Sequence, residues 1–480
     1  MNHEQETSAT PAGLVLAGGQ GKRMGTSGAK VLVRLLNEPM LYYIYQALSQ
    51  VIPERVIWTV VGYQREQVEE TYPEYQQRFI YQESQLGTGH ALLCAHSHLV
   101  DSGATHCLVV NGDVPLLPSR SLRHLQQEAL SQNADVAFLS MRLPDPTGYG
   151  RIVRGESGLV DRIVEDKDLP SSLAHIDEVN AGIYCIDLKR TAPYLNRLDR
   201  NNAQGEYYLP QLVELIAADN GRVAAVRDEQ GDRELLGVNT PKELVHNEEI
   251  LRSRIVWDWL EHGAIIRNPD QVRIGPRVDL KPGCELTGPV EISGKTRIEA
   301  GACVESHVRI ANSVVGEGAW IRNFSHLEGA EIHQGAQVGP YARLREESVL
   351  QQGSKVGNFV EVKKASLGPK SKANHLAYVG DASIGDGANI GAGCITCNYD
   401  GKTKHKTVIG ERAFIGSNTA LVAPLEIGSD VVVGAGSTIS KSVPDTFLAL
   451  ARAKQKNLER KGLKREKGDG NTGQTGRKDS

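Results

Sequence analysis

Residues 274–310 read IGPRVD LKPGCE LTGPVE ISGKTR IEAGAC VESHVR I, with an aliphatic side chain opening every hexad: Ile274, Leu280, Leu286, Ile292, Ile298, Val304 and Ile310. After a one-residue slip come Val315, Ile321 and Leu327, then Ile332, Val338, Leu344, Leu350, Val356 and Val362. The run resumes through Ile384 and Ile390, and again through Ile409, Ile415, Leu421, Ile427, Val433 and Ile439. A helix cannot hold a six-residue apolar period on one face, because its rows repeat every 3.6 residues. A solenoid of short strands can: each side of a triangular coil takes six residues and points its aliphatic residue inward. Residues 264–445 are therefore expected to form an all-β coil of hexapeptide repeats. The break between 396 and 408 reads as a loop ejected from the coil, and such loops tend to line a binding face.

Upstream the pattern changes. Residues 12–240 alternate short apolar runs (13–17, 56–61, 107–110) with helical candidates such as 40–51 and 119–131. That alternation predicts an α/β domain, a Rossmann-like, mostly parallel sheet covered by helices. Ligands collect beyond the carboxyl ends of such strands, which here carry Gly18-Gly19, Asn111-Gly112-Asp113 and Gly237-Val238-Asn239. Residues 241–263, opening on Thr240-Pro241, predict a helix linking the halves. Residues 1–11 are expected to be a disordered polar extension, and 446–480 a tail disordered beyond about 462, since its composition carries no core-forming pattern.

At 480 residues two to three domains are the natural expectation. A formal net charge of −4 gives no support to a nucleic-acid role. The N-terminus lacks a signal pattern, and no apolar run approaches the roughly 20 residues that span a bilayer, so a cytoplasmic location is expected. Seven scattered cysteines suggest reduced thiols, and Cys394-Ile-Thr-Cys397 is a lone pair that fits packing better than a four-ligand metal site.

Leu16-Ala17-Gly18-Gly19-Gln20-Gly21-Lys22-Arg23-Met24 follows the first predicted strand directly. Its glycines let backbone N–H groups approach phosphate oxygens, and Arg23 and Lys30 add positive charge. This segment resembles the signature of sugar-phosphate nucleotidyltransferases. Residues 85–91 (QLGTGHA), 112–116 (GDVPL), 145–151 (DPTGYGR) and 201–208 (NNAQGEYY) narrow the likeness. Together they resemble the bifunctional N-acetylglucosamine-1-phosphate uridyltransferase/glucosamine-1-phosphate acetyltransferase family of bacteria, over roughly residues 12–455.

The resemblance implies a left-handed parallel β-helix, a homotrimer with acetyl sites between coils, and two successive reactions. Acetyl-CoA would acetylate glucosamine 1-phosphate on the coil. UTP and the product would then react at the front site to give UDP-N-acetylglucosamine and pyrophosphate, supplying peptidoglycan and lipopolysaccharide precursors. It makes Arg23 and Lys30 catalytic cations on the phosphates, and Asp113 and Asn239 the ligands of Mg²⁺. Leu16, Ala17, Gly18, Gly19, Asn111 and Gly112 would lie along the nucleotide, and Gln82, Gly87 and Thr88 would recognise uracil and neighbouring groups. Gly150, Glu165, Asn180 and Asn239 would line the sugar pocket. By itself Glu165, in Val164-Glu165-Asp166-Lys167-Asp168, reads as part of an exposed charge run.

In the coil, polar residues interrupt the strictest part of the repeat. Acyl transfer to glucosamine 1-phosphate needs a base near pKa 7 to free the amine, and His375 is the natural choice. The resemblance then implies that Arg345 and Lys363 bind the substrate phosphate, and that Tyr378, Asn389, Asn398 and Tyr399 position the sugar. Ala392, Ser417, Ala435 and Arg452 would contact acetyl-CoA. Two competing readings are a nucleotidyltransferase whose coil serves only assembly, and a non-catalytic scaffold. His375 with Lys363 and Arg345 speaks against the first, and Arg23, Lys30, Asp113 and Asn239 against the second.

The sequence departs from the family at Ala29, where proline is usual, at Lys22 and Asn111, and at Asn374, where glycine usually precedes the histidine. Losing the proline leaves the phosphate loop more unbound conformations to give up on ordering. The Asn374 substitution predicts a strained turn.

Overall fold

The computed structural model describes residues 11–21, 24–25, 28–228 and 232–458. Arg23, Lys22, the first ten residues and the tail beyond 458 lie outside them. The described chain divides into two compact units at Glu346/Glu347, within the run of hexads.

The first unit opens with the α/β domain. Its strands are β1 (Pro11–Ala17), β2 (Ile57–Val61), β3 (Phe79–Tyr81), β4 (His106–Asn111), β5 (Val136–Arg142), β6 (Arg151–Arg154), β7 (Val160–Val164), β8 (Glu178–Asp187) and β9 (Val223–Arg227). The sheet order is β9-β5-β8-β4-β1-β2-β3, with β6 pairing β8 and β7. β1 runs parallel to β2 and β4, β2 to β3, and β5 to β9. The sheet is mixed rather than mostly parallel: β8 lies antiparallel between β4 and β5 and pairs antiparallel with β6, which pairs antiparallel with β7. Continuous apolar runs mark these strands as buried on both faces: Leu108, Val109 and Val110 are all fully buried.

Helix α1 (Met40–Ser49) and the exactly bounded expectation at Ser119–Ser131 are both present, the latter with Leu122 and Leu125 turned into the core. A long helix, Pro241–Glu261, links the α/β domain to the coil. Its start is a capping box: the Thr240 hydroxyl accepts from Glu243 N–H at 3.3 Å and the Glu243 carboxylate accepts from Thr240 N–H at 2.9 Å. Proline at the first helical position costs nothing there, because that N–H is an orphan in any case. Leu251 of this helix packs with Met24, Leu35, Leu36 and Met40. On another face the buried Arg252 guanidinium donates to the Pro269 carbonyl at 2.7 Å, tying the helix to the first coil turn.

The coil consists of short parallel strands. In the first unit Ile274 pairs with Ile292 and Ile292 with Ile310, one triangular turn apart, and Leu327 with Leu344. Every hexad-opening residue from Ile274 to Leu344 is buried. In the second unit the same holds from Leu350 to Ile439, and the apparent gap after Val362 is filled by Leu367, Ala373 and Val379, all buried. The coil runs past residue 445: Leu448–Ala449 forms a strand parallel to Val432–Val433. The break opens where expected, between Cys397 and Thr407. No helix among the described residues is long and apolar enough to cross a membrane.

Candidate functional site

Beyond the carboxyl ends of β1 and β4 lies a cavity of about 680 Å³, lined by Leu16, Ala17, Gly18, Gly19, Lys30, Gln82, Gly87, Thr88, Asn111 and Asp113. A smaller one of about 220 Å³ is lined by Gly150, Glu165, Asn180 and Asn239, and shares Thr88, Asn111 and Asp113 with the first. Gly112 is the one described front-site candidate on neither wall. It sits behind them, where a Cβ would come 2.8 Å from Val31 and 3.1 Å from the Leu16 carbonyl.

Local structure explains each placement. Gly87 has φ +107 and opens helix Thr88–Asp101, whose Gly89 N–H donates to the Tyr207 carbonyl at 2.8 Å. Gly18 has no room for a side chain, since a Cβ would lie 2.9 Å from the Gln82 amide oxygen. Gln82 is itself fixed, its amide nitrogen 3.1 Å from the Gly87 carbonyl and 3.0 Å from His90 Nδ1. In β8 the register shifts between Asn180 and Tyr184, a bulge around Gly182 at φ +75, where a Cβ would collide with the Asn111 amide. The bulge turns Asn180 towards the small cavity, and its amide donates to Tyr184 Oη at 2.6 Å.

Lys30 is nearly buried, and its ammonium donates to the Asp113 carboxylate at 2.5 Å and to the side-chain amide oxygen Oδ1 of Asn239 at 2.8 Å. Both oxygens thus converge on one cation. Asn239 is held there by backbone contacts: Glu243 accepts from Asn239 N–H at 2.6 Å, and Val238 N–H donates to the Asp113 carbonyl at 2.8 Å. Glu243 was absent from the sequence-based set, although the Thr-Pro-Lys-Glu cap was legible. Tyr149 was missed as well. Its half-buried hydroxyl accepts from Gly237 N–H at 3.2 Å, and removal from water pushes its pKa up to about 12.

Glu165 follows β7 on the small cavity's wall. Removal from water, then the nearby carboxylates of Asp168 and Asp166, push its pKa up to about 7. The charge-run reading fits Asp168 and Lys167, which are exposed, but not Glu165.

An oxygen pair converging on a cation suits a hard divalent ion, which takes one or two side-chain oxygens and completes its shell with water and phosphate. Among the described residues no cluster of three or more His, Cys, Asp or Glu could hold a metal, so such an ion would depend on substrate oxygens. All seven cysteines are free, and Cys394 is buried with its thiol donating to the Gly416 carbonyl, as packing requires.

The second unit carries most of the coil candidates. His375 ends the strand Lys372–His375, exposed, with Nδ1 2.6 Å from Asn358 Oδ1. An amide oxygen only accepts, so Nδ1 carries the proton in this contact and Nε2 is left as the ring's acceptor nitrogen. Asn358, one coil turn earlier, was not foreseen; His375 pairs with it in register. Asn374 is extended rather than left-handed, so the strain predicted there does not arise. The positive φ falls two residues on, at Leu376 with φ 49.

Lys363 ends the strand Glu361–Lys363, which pairs with Tyr378–Gly380. The Asn398 amide donates to Asp381 at 2.5 Å and lies 3.5 Å from Tyr378 Oη. The ejected loop is a tight hairpin: His405 N–H donates to the Asn398 carbonyl at 2.8 Å, Tyr399 bridges Lys404, and His405 Nε2 lies 2.7 Å from Asp400. That contact is the leading cause holding the Asp400 carboxyl well below the usual range. Tyr399 is exposed on this hairpin.

Asn389 pairs with Phe414 in the sheet that leads to Ala392, Ser417 and Ala435, which follow Ile390, Ile415 and Val433 at the same point of successive turns. Glycines pack their backbones closely: a Cβ on Gly391 would lie 2.6 Å from Ser417 N, and one on Gly416 2.5 Å from Ala435 N. Arg452 donates to the Ala435 carbonyl at 2.7 Å. Arg345 belongs to the first unit, half-buried beside Leu344.

The MobA-like NTP transferase domain family matches residues 13–168, and the bacterial transferase hexapeptide family (six repeats) matches 406–441. Relatives match along nearly the whole chain. A protein called "Bifunctional protein GlmU" from Nitratidesulfovibrio vulgaris (strain DSM 19637 / Miyazaki F) is 50% identical over 450 residues, 93% of this chain and 98% of its own. Proteins of the same name from Oleidesulfovibrio alaskensis and Thermus thermophilus are 47% and 45% identical, covering 94% and 93% of this chain and 98% and 97% of their own.

Proposed function

The chain belongs to the family of bifunctional GlmU proteins, and from that premise we propose how its residues divide between two reactions. It is a bifunctional transferase of UDP-N-acetylglucosamine biosynthesis, an acetyltransferase and a uridylyltransferase in one polypeptide. Its α/β domain, built on a mixed sheet, carries the nucleotidyl transfer, and its left-handed coil of hexapeptide repeats the acetyl transfer.

The observation that carries the front assignment is the meeting of two cavities at Thr88, Asn111 and Asp113. UTP occupies the larger cavity, with its phosphates along Leu16 to Gly19 and its base against Gln82 and Gly87. N-acetylglucosamine 1-phosphate occupies the smaller, held by Gly150, Glu165 and Asn180. The sugar phosphate oxygen attacks the α-phosphorus and pyrophosphate departs. Asp113 and Asn239 are the residues that would hold Mg²⁺, whose chemistry, when bound, is to neutralise phosphate charge. Lys30, and Arg23 outside the described residues, steady the phosphates.

On the coil, His375 Nε2 takes the proton from the glucosamine ammonium, the amine attacks the thioester carbonyl, and CoA leaves. Asn358 holds the imidazole in the tautomer this step needs. Arg345 and Lys363 take the substrate phosphate; Tyr378, Asn389, Asn398 and Tyr399 orient the sugar. Acetyl-CoA runs along Ala392, Ser417 and Ala435 to Arg452. His375 and Tyr399 are exposed on one coil, which supports a homotrimer in which a neighbouring copy walls the site. The use of UTP and acetyl-CoA as substrates supports a cytoplasmic location. Light scattering giving three times the chain mass supports this assembly, and a monomer active in acetyl transfer overturns it. Pyrophosphate release from UTP and N-acetylglucosamine 1-phosphate tests the front assignment, and its absence in folded protein refutes it.

A further inference from the structure

Tyr184 stands on β8 just past the bulge and lines the small cavity. It is only 2% exposed, with Phe138 tilted against its ring at 6.0 Å between centroids and Ile152 and Ile163 in the same core cluster. Its hydroxyl is the polar end of an otherwise apolar side chain, and a buried phenol needs a hydrogen-bond partner.

Asn180 meets half of that need. Its amide oxygen accepts from Gly182 N–H at 3.0 Å inside the bulge, which fixes the orientation of the amide. The amide nitrogen therefore faces Tyr184 and donates to Oη at 2.6 Å. With the phenol oxygen accepting, its own proton is left over, and among the described residues that proton has no acceptor. Burial first, then the nearby Glu165 carboxyl, hold the phenol's pKa well above its usual value, so Tyr184 stays a donor at working pH. A buried donor without an acceptor is costly, and an acceptor brought in by a ligand relieves that cost.

The chemistry of the sugar phosphate narrows which acceptor this is. Its phosphate belongs with the cations at the junction of the cavities, and its hydroxyls are donors that suit the Glu165 carboxylate. The acetamido carbonyl only accepts, as an amide oxygen does. Ala181, Leu209 and Pro210 line the same cavity and give the acetamido methyl group an apolar wall.

We propose that Tyr184 donates its proton to the acetamido carbonyl oxygen of N-acetylglucosamine 1-phosphate and is a specificity-determining residue of the uridylyl reaction. Glucosamine 1-phosphate offers an ammonium at that place, leaving the phenol unpaired and bringing a charge against the apolar wall. The pocket thus admits the sugar once it is acetylated. The inference rests on the small cavity being the sugar-phosphate site.

Tyr184→Phe keeps the ring and removes the donor. The full-length enzyme and this variant are compared in pyrophosphate release from UTP with Mg²⁺, using N-acetylglucosamine 1-phosphate and its N-thioacetyl analogue, whose sulfur is the weaker acceptor. The unaltered enzyme should prefer the oxygen substrate about tenfold in kcat/KM, the scale of one buried hydrogen bond. The variant should lose about tenfold on the oxygen substrate and little on the sulfur one, so that the preference nearly vanishes. Acetyl transfer by the same preparations reports correct folding, and the preference of the unaltered enzyme is read without any variant. Equal losses on both analogues would make Tyr184 a prop for Asn180 alone and overturn the proposal. So would an unaltered enzyme indifferent to the sulfur, or a variant as active as the unaltered enzyme on the oxygen substrate. If the unaltered enzyme releases no pyrophosphate from N-acetylglucosamine 1-phosphate, the parent reading fails, and that result is distinct from an active enzyme indifferent to residue 184.

Discussion

The ammonium of Lys30 lies 2.5 Å from the Asp113 carboxylate, on an oxygen pair completed by Asn239 at 2.8 Å. In the substrate-free chain a lysine therefore neutralises the group that would hold the metal. On the proposed assignment, metal and lysine would compete for the same two oxygens until phosphates draw the lysine away. Lys30→Met should therefore tighten Mn²⁺ binding several-fold in the absence of nucleotide, measured by calorimetry. It should also lower uridylyl turnover by about a hundredfold, since a preorganised cation on the phosphates is lost. Weaker Mn²⁺ binding in the variant would contradict this competition.

Glu165 sets a pH dependence. Its pKa stands at about 7 against an ordinary 4.5, so between those values the folded chain holds a proton that the unfolded chain has released. Stability conferred at this site therefore falls as pH rises from 4.5 to about 7, and levels off above. Glu165→Gln removes the effect: its melting temperature should gain on the unaltered protein from pH 5 to 7 and keep a constant lead above. The ionised carboxylate is the better acceptor for sugar hydroxyls, so the KM for N-acetylglucosamine 1-phosphate should fall as pH rises from 6 to 8. A flat profile in the unaltered enzyme counts against Glu165 as a sugar ligand.

Ala29 occupies a proline-compatible backbone, φ −60, followed by a helical turn at Lys30–Leu32. Its N–H donates to Gln67 at 3.3 Å, a long bond that proline would remove. The lost bond and the reduced unfolded-state entropy are each worth about 0.5–1 kcal/mol and of opposite sign. Ala29→Pro should thus leave stability within about 1 kcal/mol in urea unfolding, yet lower the UTP KM by ordering the loop beforehand. Unchanged KM and kcat would remove the idea that this loop orders less readily for want of its proline.

Asn358 and His375 face each other across one coil turn at 2.6 Å. Asn358→Ala frees the imidazole to adopt the wrong tautomer, and kcat for acetyl transfer should drop about 10- to 100-fold, within the usual worth of a positioned general base. The uridylyl reaction should be untouched. Equal losses in both activities would point to misfolding rather than to the base.

Much of this was legible in the chain itself, for physical reasons. Hexad positions are read easily while the inward residue stays large and aliphatic, as from Ile274 to Val362. They are lost where the corner shortens and Ala373 replaces a bulkier side chain, though Leu367 and Val379 keep the coil packed. The phosphate loop, Asp113, Asn239 and His375 stand in short local motifs. By contrast, the antiparallel placing of β8 depends on its packing between β4 and β5, and nothing in residues 178–187 announces it. Asn358 and Tyr149 gain meaning only through partners brought near by folding: His375 and Gly237. The Glu243 cap was readable locally, but its hold on Asn239 was not.

Two separate sites in one chain is the central claim, and one incubation tests it. The enzyme and its His375→Ala variant are each given glucosamine 1-phosphate, acetyl-CoA, UTP and Mg²⁺, and CoA and pyrophosphate are followed together. The unaltered enzyme should release CoA first and pyrophosphate after it, and neither when acetyl-CoA is withheld. The variant should release neither, yet regain full pyrophosphate release when N-acetylglucosamine 1-phosphate is supplied. Pyrophosphate from glucosamine 1-phosphate without acetyl-CoA, or a folded variant that cannot use the acetylated sugar, would contradict the account.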